Sequence, residues 1–321
     1  MKVSPAAAVL ALSGGVGGAK LALGLEDVLS PGQLHVLVNT GDDFEHLGLR
    51  ISPDIDTLLY TLSGRANQQQ GWGLSGETWQ AMEALEELGG ETWFRLGDRD
   101  LATHLWRSQQ LASGRGLAAV TADLAHRLGV RSRVYPMSDD PVATTVHSDR
   151  GELPFQHYFV RYQCEPSVTG FTFEGIGAAR PNIEVMQQLL EERYRAVVVC
   201  PSNPFVSVDP ILQLPGLWSA LRENRAPVIL VSPIVAGQAI KGPAAKMMSE
   251  LGQGASALEV ARYYSSRYPG LVDYFVIDDS DAKLAADIGE LGIQVAITST
   301  IMASRADKRA LARFCLALGG A

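Results

Sequence analysis

The sequence predicts an α/β fold with a Rossmann-like, mostly parallel sheet flanked by helices, and a smaller inserted α/β or β-rich subdomain. Three observations predict this class. Short apolar runs of the kind that form buried parallel strands recur along the chain. Longer segments with helical periodicity lie between most of them, as in βαβ units. Several runs end in polar or turn residues, where open α/β sheets bind their ligands.

The predicted strands are the apolar runs, beginning with AVLAL (8–12). The others are 34–40, 195–201, 226–233, 273–278 and 293–299. Apolar residues that recur every three to four positions predict the helices. These are 18–29, 75–89, 101–112, 116–128, 182–193, 210–223, 243–251, 256–267, 280–290 and 304–318.

The segment 130–182 departs from this alternation. Polarity alternates on either side of SDRG in residues 143–162, which predicts a hairpin, and VTGFTFEG (168–175) adds a short strand. We therefore expect residues 1–129 and 183–321 to form the Rossmann-like, nucleotide-binding core. Residues 130–182 would form the smaller subdomain, which covers the site or makes a dimer contact.

The composition excludes several classes of function. A net charge of -8 argues against nonspecific nucleic-acid binding, because neutralising a phosphate backbone needs a surplus of Lys and Arg. No stretch approaches the roughly 18 apolar residues that a membrane span needs. MKVSPAAAVLALSGG leads into a glycine turn and lacks a signal-peptide cleavage site. We expect a soluble, cytoplasmic protein with three reduced cysteines, and with neither nucleic acid nor membrane as a partner.

A glycine-rich turn, SGGVGGAKL (13–21), follows the first predicted strand. A Walker loop needs Ser or Thr after its lysine, but Leu21 follows Lys20. A dinucleotide fingerprint needs an acidic residue at the end of the second strand, where this chain has Asn39. Neither pattern fits, yet glycines let the backbone approach an anion, and a helix N-terminus attracts it. The turn therefore predicts a phosphate site, formed by Gly14, Gly15, Gly17 and Gly18.

An acidic cluster follows the second predicted strand, in VNTGDDFEHLGLRISPDIDT. Its carboxylates suit Mg²⁺, which prefers hard oxygen ligands and often bridges protein to phosphate. Asp54 or Asp56 would alternatively cap the helix that begins near Thr57. The candidate metal ligands are Asp42, Asp43 and Asp54.

Other segments carry polar side chains next to predicted strands or helices. WFRLGDRDLATHL (93–105) forms either a salt-bridged turn or part of a site, and its His104 is either a core residue or a site residue. Ser202 and Asn203 offer donors and acceptors for a base or sugar. Lys241 with Gly242 suggests an anion site, or else Lys241 is only a solvated side chain. The chain has no G-x-S-x-G or H-E-x-x-H motif, which favours direct displacement over a covalent intermediate.

Six segments in one order resemble the 2-phospho-L-lactate transferase family, CofD, called FbiA in actinobacteria. They are SGGVGGAKL, NTGDDFEHLGLRISPDIDTLLYTL, WFRLGDRDLATHL, PMSDDPVAT, PSNPFVSVDPIL and VSPIVAGQAIKGPAAK. The resemblance extends from residue 9 to about residue 305. Archaeal members tend to have GGTGTPKL where this chain has GGVGGAKL, which is closer to the bacterial version.

The resemblance implies an Mg²⁺-dependent transferase in the biosynthesis of coenzyme F-420. The ribityl hydroxyl of FO (7,8-didemethyl-8-hydroxy-5-deazariboflavin) would attack the phosphorus that carries a three-carbon acid in a guanosine diphosphate ester. GMP would leave, and a phosphodiester, (dehydro) coenzyme F-420-0, would remain. The acid stays open among 2-phospholactate, phosphoenolpyruvate and 3-phosphoglycerate. The resemblance also implies a homodimer.

The family's motifs assign roles to residues of this chain. We expect the diphosphate against the glycine turn, with Lys20 either touching phosphate or only beginning the helix, and the guanosine near Ser202 and Asn203. Metal binding falls to Asp43 and Asp54, with Asp42 as a near alternative. The residues matching those that contact FO are Asp56 and Arg95, and the candidate catalytic residues are Asp56 and Asp54.

Two other functions stay open. A non-catalytic, regulatory relative of the same fold would bind UDP-linked sugars through a similar glycine turn. The chain could alternatively be a nicotinamide-dependent oxidoreductase, but Asn39 at the ribose-binding position argues against that function.

Overall fold

The computed structural model describes residues 8–239 and 242–320. Lys241, which suggested an anion site together with Gly242, lies outside these residues, as does the start of the N-terminal segment. The strands in the described ranges are β1 (Ala8–Ser13), β2 (Leu34–Val38), β3 (Phe44–His46), β4 (Leu49–Ile51), β5 (Arg133–Pro136), β6 (Ala143–Ser148), β7 (Gly151–Pro154), β8 (Val168–Glu174), β9 (Tyr194–Val199), β10 (Val228–Val231), β11 (Ile234–Val235), β12 (Gln238–Ala239), β13 (Tyr274–Ile277) and β14 (Gln294–Ile297).

Helices connect most of these strands. They are α1 (Gly15–Val28), α2 (Pro53–Leu62), α3 (Gln80–Glu87), α4 (Asp98–Ala112), α5 (Leu117–Leu128), α6 (Ile183–Leu190), α7 (Asp209–Leu212), α8 (Leu217–Glu223), α9 (Ala244–Glu250), α10 (Ala257–Arg267), α11 (Ala285–Gly289) and α12 (Arg305–Leu318). Two π-helical turns, His157–Arg161 and Pro204–Val208, and one 3-10 turn, Asp279–Leu284, complete the set. No helix within 8–239 or 242–320 has the length and apolar character to cross a membrane.

Seven strands form one sheet in the order β14-β13-β10-β9-β1-β2-β5. Every neighbouring pair in this sheet is parallel. The chain runs outward from β1 to β2 and β5, then returns to β9 on the other side of β1 and runs outward again. The strand order therefore reverses between β1 and β9, and open α/β sheets bind ligands beyond the strand ends at such a reversal. The predicted fold class is confirmed.

Two hydrophobic clusters cover the two faces of this sheet, because successive side chains of a strand point to opposite sides. In β1, Leu10 and Leu12 belong to one cluster, and Val9 and Ala11 belong to the other. Helices α6, α8, α9 and α10 contribute to the first cluster. Helices α1, α2, α5 and α12 contribute to the second. These four residues of β1 are fully buried, so β1 holds the start of α1 in place at the centre of the sheet.

The inserted region is an antiparallel sheet with the order β7-β6-β8. The predicted hairpin around SDRG joins β6 to β7, with Ser148 opposite Gly151. Strand β5 lies within the 130–182 segment but pairs with β2 in the main sheet. The apolar-run criterion did not identify β5, because it is an edge strand whose first residue, Arg133, is exposed.

Several predicted helices have different bounds in the structure. The first begins at Gly15, so most of the glycine turn is the first turn of α1. The helix predicted over 75–89 is limited to α3, since Gly76 has a φ of 68°. The helix predicted over 210–223 is interrupted after α7, because Pro215 and then Gly216, with a φ of 81°, separate it from α8. Cys200 and Cys315 are buried free thiols, whereas Cys164 is half-buried.

Candidate active site

A cavity of about 600 Å³ opens where the strand order reverses, beyond the carboxyl ends of β1 and β9. Its wall combines the start of α1, the start of α2, one side of α4 and the turn after β9. The structure brings together at this cavity ten residues that the sequence predicted as site residues. They are Gly14, Gly15, Gly17, Lys20, Asp42, Asp54, Asp56, Arg95, Ser202 and Asn203. The other two predicted residues, Gly18 and Asp43, do not line it.

The glycines are required by close packing as well as by any ligand. Gly15 has a φ of 62°, a conformation that L side chains rarely adopt. A Cβ on Gly17 would lie 2.2 Å from the Pro201 carbonyl oxygen, and one on Gly18 would lie 2.4 Å from Ser13 Oγ. Helix α1 therefore begins directly against the turn after β9, and Gly18 has a packing role.

Ser202 and Asn203 hold this junction together through the backbone. Ser202 Oγ donates to the Gly14 carbonyl at 2.8 Å and accepts from the Gly14 N–H at 3.2 Å. Asn203 Oδ1 accepts from the Phe205 N–H at 3.0 Å, at the start of the second π-helical turn. Both side chains also line the cavity, so they order part of its wall.

Asp54 lies at the start of α2 but bonds to α1. Its Oδ1 accepts from the Gly15 N–H at 2.7 Å, and its Oδ2 accepts from Asn39 Nδ2 at 3.0 Å. Burial raises the pKa of Asp54 to about 6, although these two hydrogen bonds lower it. No side chain caps α2 by a hydrogen bond at its Ser52 N-cap position, so Asp54 bonds to the neighbouring helix instead of capping its own.

The two preceding aspartates are also buried acids. Asp42 Oδ1 is buried without a hydrogen-bond partner, and burial together with the nearby Asp54 raises the pKa of Asp42 well above its ordinary value. Asp43 Oδ2 accepts from Ser52 Oγ at 2.7 Å, and burial raises the pKa of Asp43 to about 8. In residues 8–239 and 242–320, no three His, Cys, Asp or Glu side chains come close enough to hold a metal by themselves.

Asp56 belongs to a buried ionic network between α2 and α4. Arg107 donates to both of its oxygens, with Nη1 3.0 Å from Oδ2 and Nη2 bonded to Oδ1. Arg107 Nη1 also lies 3.2 Å from His104 Nδ1. On the other side of the imidazole, His104 Nε2 lies 3.2 Å from Asp100 Oδ1. The network thus crosses the cavity floor from Asp56 to Asp100 through two side chains of α4.

Tyr60 completes this network. Its hydroxyl donates to Asp100 Oδ1 at 2.6 Å. Burial alone would raise the pKa of Asp100, but the bonds from His104 and Tyr60 and the charge of Arg107 hold it below its ordinary value. Asp56, Tyr60, Asp100 and His104 all line the cavity, whereas Arg107 lies behind them with none of its surface exposed.

Sequence reasoning missed Arg107 and Tyr60. Two helical spacings could have indicated them, since Tyr60 lies four residues after Asp56, and Arg107 lies three residues after His104. Neither spacing tells a buried charge from an exposed one, because the partner of Arg107 lies 51 residues away.

Aromatic side chains surround the outer part of the cavity. Trp72, Trp93, Phe94, Phe155 and Phe159 line it. The exposed Arg95 guanidinium lies 4.7 Å from the centre of the Trp79 ring. This part of the cavity suits a flat ring system, since aromatic faces and a guanidinium both stack.

Two other acidic segments have structural roles. Asp139 accepts from the Ala118 N–H at 2.6 Å near the start of α5, and Asp140 pairs with Arg180 at 2.8 Å. Glu77 accepts from the Arg99 N–H at 2.9 Å at the start of α4. In return, Asp98 accepts from the Ala81 N–H at 3.1 Å at the start of α3. These pairs anchor segments around the cavity and do not line it.

A family model described as "2-phospho-L-lactate transferase CofD" matches residues 9–302. The "2-phospho-L-lactate transferase" of Methanosarcina acetivorans is 37% identical over 310 residues, which cover 97% of this chain and 98% of that protein. The "phosphoenolpyruvate transferase" of Streptomyces griseus is 38% identical over 315 residues, which cover 97% and 98%.

Among solved structures, a member of the UPF0052 family from Bacillus halodurans has a similar fold. Its TM-score is 0.65 and its sequence identity 15%, and the match covers 98% of this chain and 99% of that one. At this identity the likeness shows the shared fold alone.

Proposed function

The chain belongs to the 2-phospho-L-lactate transferase CofD family, and we propose that it transfers a phosphorylated three-carbon acid from a guanosine diphosphate ester to the ribityl hydroxyl of FO. One observation carries the proposal. A backbone cradle suited to a diphosphate and a floor of buried acids share one cavity at the strand-order reversal. Donor and acceptor can therefore meet without a covalent intermediate on the protein.

The proposed reaction is a single displacement at phosphorus. The hydroxyl oxygen of FO forms a bond to the phosphorus that carries the acid, and the bond from that phosphorus to the GMP oxygen breaks. GMP departs with its own phosphate, and the hydroxyl proton passes to a base. Such reactions depend on positioning and on stabilisation of negative charge, and they need no protein nucleophile.

The donor would lie against the glycine turn. Gly15 and Gly17 let the diphosphate approach the backbone at the first turn of α1, where the helix dipole favours an anion. Lys20, one turn further along the helix, lines the same cavity. The guanosine would extend towards Ser202 and Asn203, which also line it.

The acids beside this turn fit Mg²⁺. Asp42 presents a buried oxygen that has no partner, and Asp54 faces the same cavity, so hard oxygen donors are available there. Asp43 lies behind them and is hydrogen-bonded to Ser52, which makes Asp42 and Asp54 the better-placed pair. Mg²⁺ commonly takes one or two carboxylates and completes its shell with phosphate and water. Bound there, it would neutralise the charge that develops on the diphosphate.

The acceptor would lie over the carboxylate floor, with its ring among the aromatic side chains and near Arg95. Asp56 lines this part of the cavity and is held in one orientation by Arg107, so it can accept a hydrogen bond from the attacking hydroxyl. Asp54 and Asp56 are the candidates for the base that takes the proton.

Product analysis tests this function. Purified protein is mixed with FO, Mg²⁺ and each of the three candidate esters in turn, and mass spectrometry follows GMP and the FO phosphodiester. We expect one ester to yield both products in equal amounts, and that ester identifies the acid. Asp56→Asn should form far less product than the unaltered protein, and Asp287→Asn, which removes one exposed carboxylate, is its control.

Failure of all three esters would contradict the proposal. If the protein is instead a UDP-sugar-binding regulator, UDP-sugars should raise its melting temperature and GDP should not. We also propose a homodimer, which sedimentation equilibrium of the same preparation tests.

A further inference from the structure

Arg107 contacts two cavity-lining groups at once although it does not reach the cavity itself. Its Nη1 lies 3.0 Å from Asp56 Oδ2 and 3.2 Å from His104 Nδ1. Its Nη2 bonds to the other Asp56 oxygen. A protein loses much stability when a buried guanidinium loses its partner. The contacts with Asp56 and His104 therefore fix the position of the Arg107 guanidinium.

The donors and acceptors determine where the imidazole proton lies. A guanidinium only donates hydrogen bonds, so His104 Nδ1 must accept from Arg107 Nη1 and carries no proton. The proton of a neutral imidazole then lies on Nε2, which faces Asp100 Oδ1 at 3.2 Å. Asp100 Oδ1 also accepts from the Tyr60 hydroxyl, whereas the 3.2 Å contact from His104 Nε2 lacks the geometry of a hydrogen bond.

Charged and polar groups of several elements surround His104. Asp56 Oδ2 lies 3.7 Å from Nδ1, Asp100 lies beyond Nε2, and burial keeps the Tyr60 hydroxyl protonated by raising its pKa. Behind Arg107 are Asp43, with a pKa of about 8, and the Arg50 carbonyl, 3.5 Å from Nη1. A proton on Nδ1 would place two donors 3.2 Å apart without an acceptor between them.

We propose that Arg107 is a positioning residue that fixes the orientation of the Asp56 carboxylate and holds the imidazole proton of His104 on Nε2. Since His104 cannot then donate to Asp56, the free lone pairs of Asp56 stay available to the acceptor hydroxyl. The consequence for turnover rests on the proposed function, whereas the protonation state of His104 does not.

The first test uses the unaltered protein and needs no activity. Nitrogen-15 and proton NMR report the protonation and tautomer of each of the six histidines. His104→Gln assigns the His104 signals. We expect His104 to carry its proton on Nε2 and none on Nδ1 at pH 7. An imidazolium at pH 7, or a proton on Nδ1, would overturn the proposal.

The second test removes the positioning group. Arg107→Gln removes the guanidinium that donates to His104 Nδ1, so the nitrogen-15 NMR signals of His104 should differ from those of the unaltered protein. We expect kcat to fall about 100-fold, with the KM for the guanosine diphosphate ester changed less than about threefold, because the donor subsite is intact. Arg107→Lys, which keeps the charge but replaces the planar guanidinium by a single ammonium group, should recover part of kcat. Arg313→Gln, on an exposed part of α12, is the control.

These outcomes separate the two proposals. Folded Arg107→Gln and Arg107→Lys variants with wild-type kcat and KM would overturn the positioning role. If Arg107→Gln does not fold, the NMR result and the kcat of Arg107→Lys test the positioning role. If the unaltered protein forms no product from any ester, the proposed function fails, and the NMR result still decides the state of His104.

Discussion

The cavity has two walls that are built in different ways. The glycine wall consists of Gly14, Gly15 and Gly17 with Ser202 and Asn203, and it is made of backbone groups and short side chains that bond to them. The carboxylate wall consists of Asp56, Tyr60, Asp100 and His104, with Arg107 behind, and it is made of buried charges. The glycine wall therefore depends on the size of its residues, and the carboxylate wall depends on their charge and protonation.

Helix α2 joins the two walls. Asp54 and Asp56 are two residues apart and therefore project about 200° apart around the helix. Asp54 bonds to Gly15 in the glycine wall, and Asp56 bonds to Arg107 in the carboxylate wall. One turn of helix thus sets the distance between the proposed donor and acceptor subsites.

The largest effect that we predict comes from neutralising the carboxylate wall. Asp56→Asn leaves the fully buried Arg107 charge without a carboxylate. Breaking a buried pair costs roughly 3–5 kcal/mol of unfolding free energy, and we expect turnover to fall by at least about 100-fold. Steady-state kinetics and denaturant unfolding measure both. Asp287→Asn should change neither, and unchanged turnover in Asp56→Asn would rule out its proposed role.

A second prediction concerns the stability cost of the acids behind the carboxylate wall. The pKa of Asp43 is about 8 in the folded protein, above its ordinary value of 3.8, so the folded state binds this proton more tightly than the unfolded chain. The contribution of Asp43 to stability is therefore greatest in acid and declines as pH rises from about 4 to about 8. Asp43→Asn should remove that decline.

Denaturant unfolding at pH 5 and pH 8 measures this effect. We expect the variant to gain stability relative to the unaltered protein by about 2–4 kcal/mol between the two pH values. If the difference in unfolding free energy between Asp43→Asn and the unaltered protein does not depend on pH, the assignment of a high pKa to Asp43 is wrong.

The glycine wall should respond to size with a smaller loss. Gly17→Ala places a methyl group 2.2 Å from the Pro201 carbonyl oxygen, so the backbone must shift. We expect a loss of about 1–3 kcal/mol in the unfolding free energy. Gly177→Ala, whose added methyl group would meet nothing within 4 Å, is the matched control. Equal unfolding curves for the two variants would show that the contact relaxes without cost.

The smallest effect should come from the outer support of the carboxylate wall. Glu77→Gln weakens the bonds to the Arg99 and Asp100 N–H groups at the start of α4. We expect a loss of about 1 kcal/mol, as for a weakened helix cap, and faster hydrogen exchange in residues 65–79. Glu87→Gln, at an exposed position of α3, is the control. Unchanged exchange in the Glu77 variant would mean that this pair does not anchor the segment.

The sequence predicted the two walls unequally. The glycines of the glycine wall follow local rules, since a buried strand, a glycine run and a helix start are adjacent along the chain, whereas Ser202 joins them from 188 residues away. The carboxylate wall joins side chains that lie 51 residues apart, and the polarity of Arg107 gave no sign that it is buried. Strand β5 was missed for a related reason, because an edge strand with an exposed arginine lacks the apolar run of a central strand.

The most direct test of whether the two walls bind different substrates is equilibrium titration. Gly17→Ala and Asp56→Asn are each titrated with GDP and with FO. We predict that Gly17→Ala weakens GDP binding by about tenfold or more and leaves FO binding within about threefold, because a displaced backbone affects only the diphosphate cradle. Asp56→Asn should weaken FO binding by about tenfold or more and leave GDP binding within about threefold. Both variants weakening the same ligand, or Asp56→Asn weakening GDP more than FO, would contradict this division between the walls.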